Sequence, residues 1–580
     1  MPLLSFRLPV YLCLFTLLAT PLAAAELVPV ELHGVQGSLA ANVRSQLSVD
    51  RMGQSQRGQV SPARLDYLQR ITPDEIRAGL EPFGYYDVGV TMAREVRGES
   101  IVLVADIVLG EPVKVRKLEL RVDGPAGEDE AIQAQLRAFY PQPGQVFDHG
   151  AYEAGKARIA RRLGERGYFD ADLAVHTVTV SRAEAAADVA LAWTGGNRYR
   201  LGAVRFEGQP LKDGVLDPLV PWKPGELYDQ ARLLALQQSL VDADYFSAIS
   251  LTPEPDKAVD GQVPVLVSLV PAKRSLYNLG LRYGSDAGAG LDARVERRYL
   301  NRSGHKVLVD LRLAQFDKDL VAQYRVPAFG WLDGWYALSL ELRQEQVEDL
   351  TSEFANLAVT RSGHWRGWEL LAGLNFKRER YDVLPGDRLD YITLIYPSVW
   401  GKWKHGDEVN SPRHGRSLEL ELRGGGPGSD VRFVQLRAEA HWIRSVGANN
   451  RVLLRGELGT TFSGNIEDFP PSMRFYAGGD RSIRGFGYKE IGPNRNGRVF
   501  GGQHLAVASI EFEHMFTPVW GAAVFVDGGD AFDKRFNAHV GIGAGLRWRS
   551  PVGPVRVDLA HGVDDADQSL RLHISLGPDL

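Results

Sequence analysis

A chain of 580 residues and 64.0 kDa exceeds a single compact domain several-fold at roughly 150 residues per domain. Its net charge of −5 excludes a general polyanion binder, and 44% hydrophobic with 9% aromatic residues excludes wholesale disorder.

The first element joins Arg7, the apolar run Leu8 to Leu18 and Ala23-Ala24-Ala25. This is the basic start, greasy centre and small-residue end of a secretory signal peptide, with cleavage expected after Ala25. Cys13, the only cysteine, lies inside it, so the mature chain is expected to lack disulfides, zinc-thiolate sites and cysteine nucleophiles. Beyond Ala25 no apolar run approaches the roughly 18 residues of a spanning helix. Any membrane crossing would then need a closed β-barrel.

Three aromatic segments follow at near-constant spacing: Gly84-Tyr85-Tyr86-Asp87, Gly167-Tyr168-Phe169-Asp170 and Asp244-Tyr245-Phe246-Ser247. Pro143-Gly144-Gln145-Val146-Phe147-Asp148 precedes the second, and Pro224-Gly225-Glu226-Leu227-Tyr228-Asp229 precedes the third. The spacing predicts three α+β modules over 26–110, 111–196 and 197–273, each a strand, two helices and two strands. The aromatic pairs are expected to pack the module cores rather than to form a substrate surface.

From 274 to 580 the apolar period becomes two, as in Leu338-Ser339-Leu340-Glu341-Leu342-Arg343, Leu418-Glu419-Leu420-Glu421-Leu422-Arg423 and Leu570-Arg571-Leu572-His573-Ile574-Ser575-Leu576. A soluble sandwich alternates too, so periodicity alone does not choose. Nine of the 11 tryptophans fall in this region, which suits the interface girdles of a transmembrane barrel. At roughly 19 residues per strand and connection, the region holds about 16 antiparallel strands.

Phe475-Tyr476-Ala477-Gly478-Gly479-Asp480-Arg481-Ser482-Ile483-Arg484-Gly485-Phe486 carries the most specific signal. A loop tip drawn into a lumen needs a charged anchor, and the planar five-donor guanidinium of Arg484 suits carboxylates on a wall. Gly485 permits close backbone approach and a positive φ, and Phe486 a wedge. The segment resembles the Arg-Gly-Phe loop of the BamA/TamA superfamily. Further matches follow in order at Ala508-Ser509-Ile510-Glu511-Phe512, Phe525-Val526-Asp527-Gly528-Gly529 and Ser550-Pro551-Val552-Gly553-Pro554. The resemblance assigns Glu511 and Asp527 as partners of Arg484, and the modules as POTRA domains. Three modules before a barrel are similar to the TamA branch, as is an ending that runs on through Gly577-Pro578-Asp579-Leu580.

The resemblance implies an outer-membrane factor, its POTRA modules in the periplasm, that helps insert or secrete β-barrel proteins such as autotransporters. It implies unfolded outer-membrane proteins as substrates, a TamB-like partner anchored in the inner membrane, outer-membrane lipid around the barrel, and no nucleic acid. The seam between the first and last strands, with Leu279 and Leu281 on one edge and Leu572, Ile574, Gly577 and Pro578 on the other, is expected to pair weakly and to template an incoming strand. A passive channel or two-partner-secretion pore is the rival reading. No Gly-x-Ser-x-Gly, His-Glu-x-x-His or Walker motif is present, so neither enzymatic activity nor a cofactor or metal site is expected. Gly541-Ile542-Gly543-Ala544-Gly545 reads as a glycine-rich strand across which side chains pack, not as a dinucleotide fingerprint.

Overall fold

The computed structural model describes the chain except residues 1–25, 28, 58–59, 99, 285–287, 331, 348–349, 382–389, 409–410, 465, 496, 551–552, 565–569 and 577–580. The expected signal peptide and its cleavage point therefore lie outside the described residues. The chain forms two compact units. One contains the first two modules together with Pro224–Ala231 and Pro255–Val263 of the third; the other contains the rest of the third module and everything after it. No helix among the described residues is long and apolar enough to cross a membrane.

In the first module Ser100–Leu109 pairs in parallel with Glu26–Leu27 and Glu31–His33 and antiparallel with Val88–Arg97. Helices Gly37–Gln46 and Pro62–Leu80 close its core. In the second, Ala186–Thr194 lies between Lys114–Asp123 and Asp172–Ser181, under helices Glu130–Arg137 and His149–Glu165. The repeated aromatic-Asp pair starts helices: the Asp148 carboxylate accepts from Ala151 N–H at 2.7 Å and that of Asp229 from Ala231 N–H at 2.9 Å. The third module departs from the expected plan. Its first helix shrinks to a 3₁₀ turn, Asp217–Leu219, because Pro210, Pro218 and Pro221 remove backbone donors from the segment. Only Gln230–Asp242 is α-helical there.

The aromatic pairs divide their work. The first ring packs its own module, Tyr85 and Tyr168 against their respective cores. The second reaches the next module. Tyr86 packs on the second core with its hydroxyl 2.6 Å from His149 Nε2, and Phe169 meets the rings of Tyr228 and Tyr199 at 4.8 and 5.7 Å. Gly84 and Gly167 open these two joints at φ +86°. Asp244 takes the same place in the third copy at +51°, a conformation tolerated by Asp more than by most residues. Its carboxylate accepts from Arg298 Nε at 2.8 Å. Beside it the buried Tyr245 donates its hydroxyl proton to Gly304 O and packs edge-on against Trp335, with Lys306 Nζ 4.8 and 4.9 Å from the two rings. Burial holds the Tyr245 hydroxyl pKa above its ordinary value.

The remaining strands form one antiparallel ladder in chain order: β1 (Ser275–Gly284), β2 (Gly288–Arg297), β3 (Lys306–Ala314), β4 (Asp317–Pro327), β5 (Gly334–Val347), β6 (Leu350–Trp365), β7 (Trp368–Tyr381), β8 (Asp390–Gly406), β9 (His414–Gly425), β10 (Phe433–Val446), β11 (Asn450–Ser463), β12 (His504–Met515), β13 (Trp520–Phe532), β14 (His539–Ser550), β15 (Gly553–Gly562) and β16 (Leu570–Leu576). Leu338, Leu340 and Leu342 on β5 are exposed, whereas Glu379, Arg451, Glu513 and Asp527 on β7, β11, β12 and β13 are buried. Apolar residues outside and charges within are the inverse of a soluble sandwich, which decides what the periodicity left open. The eight tryptophans described in the ladder lie toward one rim only, at the starts of β5, β7 and β13 and in the later parts of β6, β8, β10 and β14. That is the rim at which the chain enters β1 from the third module. Trp331 lies outside the described residues. Strands β5 to β8 have 14 to 17 residues, while β1 to β3 have 9 or 10 and β16 has 7.

Candidate functional site

Between β11 and β12 the chain leaves the ladder and fills the lumen. At its base Phe469 and Met473 are buried with Tyr381 and Tyr396 of β7 and β8 and with Phe433 of β10, whose ring lies 5.0 Å from that of Phe469. Further along, Lys489 Nζ and Tyr488 Oη donate to Glu345 Oε1 on β5 at 2.8 and 2.9 Å.

The tip reaches the opposite wall, where alternate residues of β12 to β15 point inward. Arg484 meets three carboxylates there. Nε and Nη2 donate to the two oxygens of Asp527 at 2.7 and 3.0 Å, and Nη1 to Glu511 Oε2 at 2.7 Å and Asp558 Oδ2 at 2.9 Å. The Arg484 backbone N–H donates to Asp527 Oδ2 at 3.0 Å, and the guanidinium carbon lies 3.3 Å from the Phe525 ring centre. Each bond to a charged partner is worth about 1.5–3 kcal/mol, opposed by the desolvation of every ion. The wall is itself cross-braced. Arg547 donates to Glu511, Glu513 and Asp558 at 2.7, 3.1 and 2.5 Å, and Arg451 Nε to Glu513 at 2.8 Å, so cations and anions alternate through the buried layer.

Glycines make the approach possible. A Cβ on Gly541 would stand 1.8 Å from Arg484 O, and one on Gly545 1.8 Å from Asp558 Oδ1. The stripe Gly541, Gly543, Gly545 on β14 is thus the floor beneath the arginine and its partners. Gly485 takes φ +98°, and a Cβ there would lie 2.6 Å from the His561 carbonyl carbon. Phe486 is buried in a cluster with Ile483, Leu505 and Val507, its ring 5.6 Å from that of His539.

The structure therefore brings Arg484, Gly485, Phe486, Glu511 and Asp527 to one place. The seam residues are arranged differently. Leu279 and Leu281 on β1 are each 86% exposed, Leu572 on β16 is exposed and Ile574 half-buried; Gly577 and Pro578 lie outside the described residues. Among the described residues β1 and β16 approach each other, but no backbone ladder joins them. Sequence reasoning missed Asp558, Arg547 and His573. Their signal was a single charged or polar residue at an inward position of an apolar alternation, as in Val557-Asp558-Leu559, Leu546-Arg547-Trp548 and Leu572-His573-Ile574.

Comparison with known proteins agrees with this architecture. Residues 399–579 match the Omp85 superfamily domain, 29–109 the POTRA domain described as TamA domain 1, and 115–191 and 199–271 the POTRA model described as surface antigen variable number repeat. The outer membrane protein assembly factor BamA of Nitratidesulfovibrio vulgaris is 24% identical over 529 residues, 85% of this chain and 66% of that protein. The corresponding factor of Neorickettsia risticii is 22% identical over 82% of this chain and 67% of its own length. The chain thus spans about two-thirds of the length of these curated relatives. The crystal structure of Haemophilus ducreyi BamA lacking POTRA domains 1–3 superposes with a TM-score of 0.67 at 16% identity, covering 80% of this chain and 99% of that one, and shows the shared fold. With three POTRA-like sheets ahead of a 16-stranded barrel whose greasy face is outward, the chain belongs to the BamA/TamA superfamily of outer-membrane β-barrels with periplasmic POTRA modules.

Proposed function

We propose that this chain is an outer-membrane assembly factor of the TamA kind, which helps insert or secrete β-rich proteins such as autotransporters and performs no catalysis of its own. The observation that carries the reading is the pairing of a lumen occupied by an anchored loop with a seam at which no backbone ladder is formed among the described residues. The N–H and C=O groups along the edges of β1 and β16 that have no ladder partner among the described residues form a template to which an incoming strand adds by β-augmentation. The short strands beside the seam leave less apolar height there than at β6 to β8, which eases entry of a new strand into the bilayer. The POTRA modules deliver the unfolded substrate, and the first of them, which matches TamA domain 1, meets a TamB-like partner anchored in the inner membrane.

Reconstitution of the full chain in lipid vesicles and planar bilayers tests this. Wild-type protein is expected to raise the rate at which an unfolded barrel substrate becomes protease-resistant, with little ion conductance. A large steady conductance without any gain in insertion would favour a secretion pore.

A further inference from the structure

The last strand has only one partner in the ladder. β16 pairs with β15 from His561↔Leu570 to Val555↔Leu576, and its other edge is free of backbone bonds among the described residues. Its inward-facing side chains therefore decide what else holds it. Arg571 Nη2 donates to Glu490 Oε1 of the lumen loop at 2.9 Å. His573, buried in the lumen, has a partner at each ring nitrogen: Asp480 Oδ1 lies 2.6 Å from Nδ1, and the Gly485 backbone N–H donates to Nε2 at 3.0 Å. The partners fix the tautomer. An amide N–H can only donate, so Nε2 accepts and Nδ1 carries the proton given to the carboxylate. Asp480 and Gly485 flank the tip that Arg484 anchors to β12, β13 and β15.

We propose that His573 is a positioning residue that clasps β16 to the lumen loop, so that the loop which braces the wall also restrains the free edge of the seam. The clasp rests on the assembly reading for its consequence but not for its geometry. β16 cannot swing from the seam while His573 keeps both partners, because the tip it holds is fixed to the neighbouring strands. Release of the strand and loosening of the tip become a single event. Arg571 and Glu490 add a second, more exposed tie.

Amide hydrogen exchange on the full-length protein in lipid nanodiscs tests the clasp. His573→Phe keeps a ring of similar size and removes both polar ends, and Asp480→Ala removes one acceptor while leaving β16 unaltered. Both variants are expected to speed exchange at Gly485 and along the β15–β16 ladder at least tenfold, with the β12–β13 ladder unchanged. Unchanged exchange in β16, or equal acceleration in every strand, would overturn the clasp whatever happens to insertion. The local acceleration in a protein that, wild type included, gives no gain in insertion would uphold the clasp and sink the assembly reading instead.

Discussion

The wall formed by β12 to β15 and the edges formed by β1 and β16 come from the same alternating pattern, yet they are held in opposite ways. Behind the loop tip the inward positions hold Glu511, Glu513, Asp527, Arg547 and Asp558, with glycines of β14 that make room for them, and the backbone ladder is continuous. At the seam the outward leucines remain, but among the described residues no ladder joins the two edges, and the strands are short. Rigidity is concentrated one to four strands away from the place where the barrel is weakest. A barrel with an unpaired edge needs such bracing, since otherwise loss of the seam would spread through the neighbouring ladders.

The largest effect that breaks this contrast is expected from Arg484→Ala. It leaves Asp527 with only the Ser509 hydroxyl, at 2.6 Å, among the side-chain donors described for it, while Glu511 and Asp558 keep Arg547. Uncovering a buried carboxylate in this way costs about 3–5 kcal/mol. The temperature at which the folded band is lost on unboiled gels should fall sharply, and insertion should fall with it. Gly541→Ala should act on the same wall from the other side. Its methyl collides with Arg484 O, at a cost of about 1–3 kcal/mol, and the same gel assay should rank it below Arg484→Ala.

Tyr245→Phe sharpens the contrast by touching neither wall nor seam edge. It removes the hydroxyl bond to Gly304 O and leaves a buried carbonyl short of one partner, for about 1–3 kcal/mol. Protease sensitivity between the third module and β3 should rise while the loop tip stays protected. The smallest effect lies in the second module. Burial alone would raise the Asp129 pKa, but the bond from Arg166 at 3.0 Å and that from Ala131 N–H at 2.9 Å outweigh it and hold the value below normal. A depressed carboxylate stabilises the fold above its unfolded pKa of about 3.9 and loses that contribution as pH falls through the folded value. Proteolysis of the second module should therefore separate wild type from Asp129→Asn near neutrality, and the gap should close in acid.

How much of this was legible in the sequence differs by region. Arg484, Gly485 and Phe486 stand together in one segment, and each demands a particular environment, so the motif announces a buried tip. Period two sorted the residues of β16 onto two faces, but did not say which face turns inward or what it meets across the lumen. Asp558 and His573 acquire their roles only when the loop brings Arg484 and Asp480 to them. The third module's lost helix was written in Pro210, Pro218 and Pro221, whereas the exchange of a glycine joint for an ion-paired one at Asp244 depends on Arg298, 54 residues further on. Tryptophan number pointed to a membrane interface, but only the strand directions show that the described tryptophans of the ladder lie toward one rim.

The most direct test of the account joins the two edges covalently. Cys13 is the only native cysteine and belongs to the expected signal peptide, so one cysteine placed on β1 and one on β16 react without competition in the mature chain. The oxidised pair is expected to abolish substrate insertion while leaving the folded barrel intact, and reductant is expected to restore it. Undiminished insertion by a fully cross-linked protein would contradict the account.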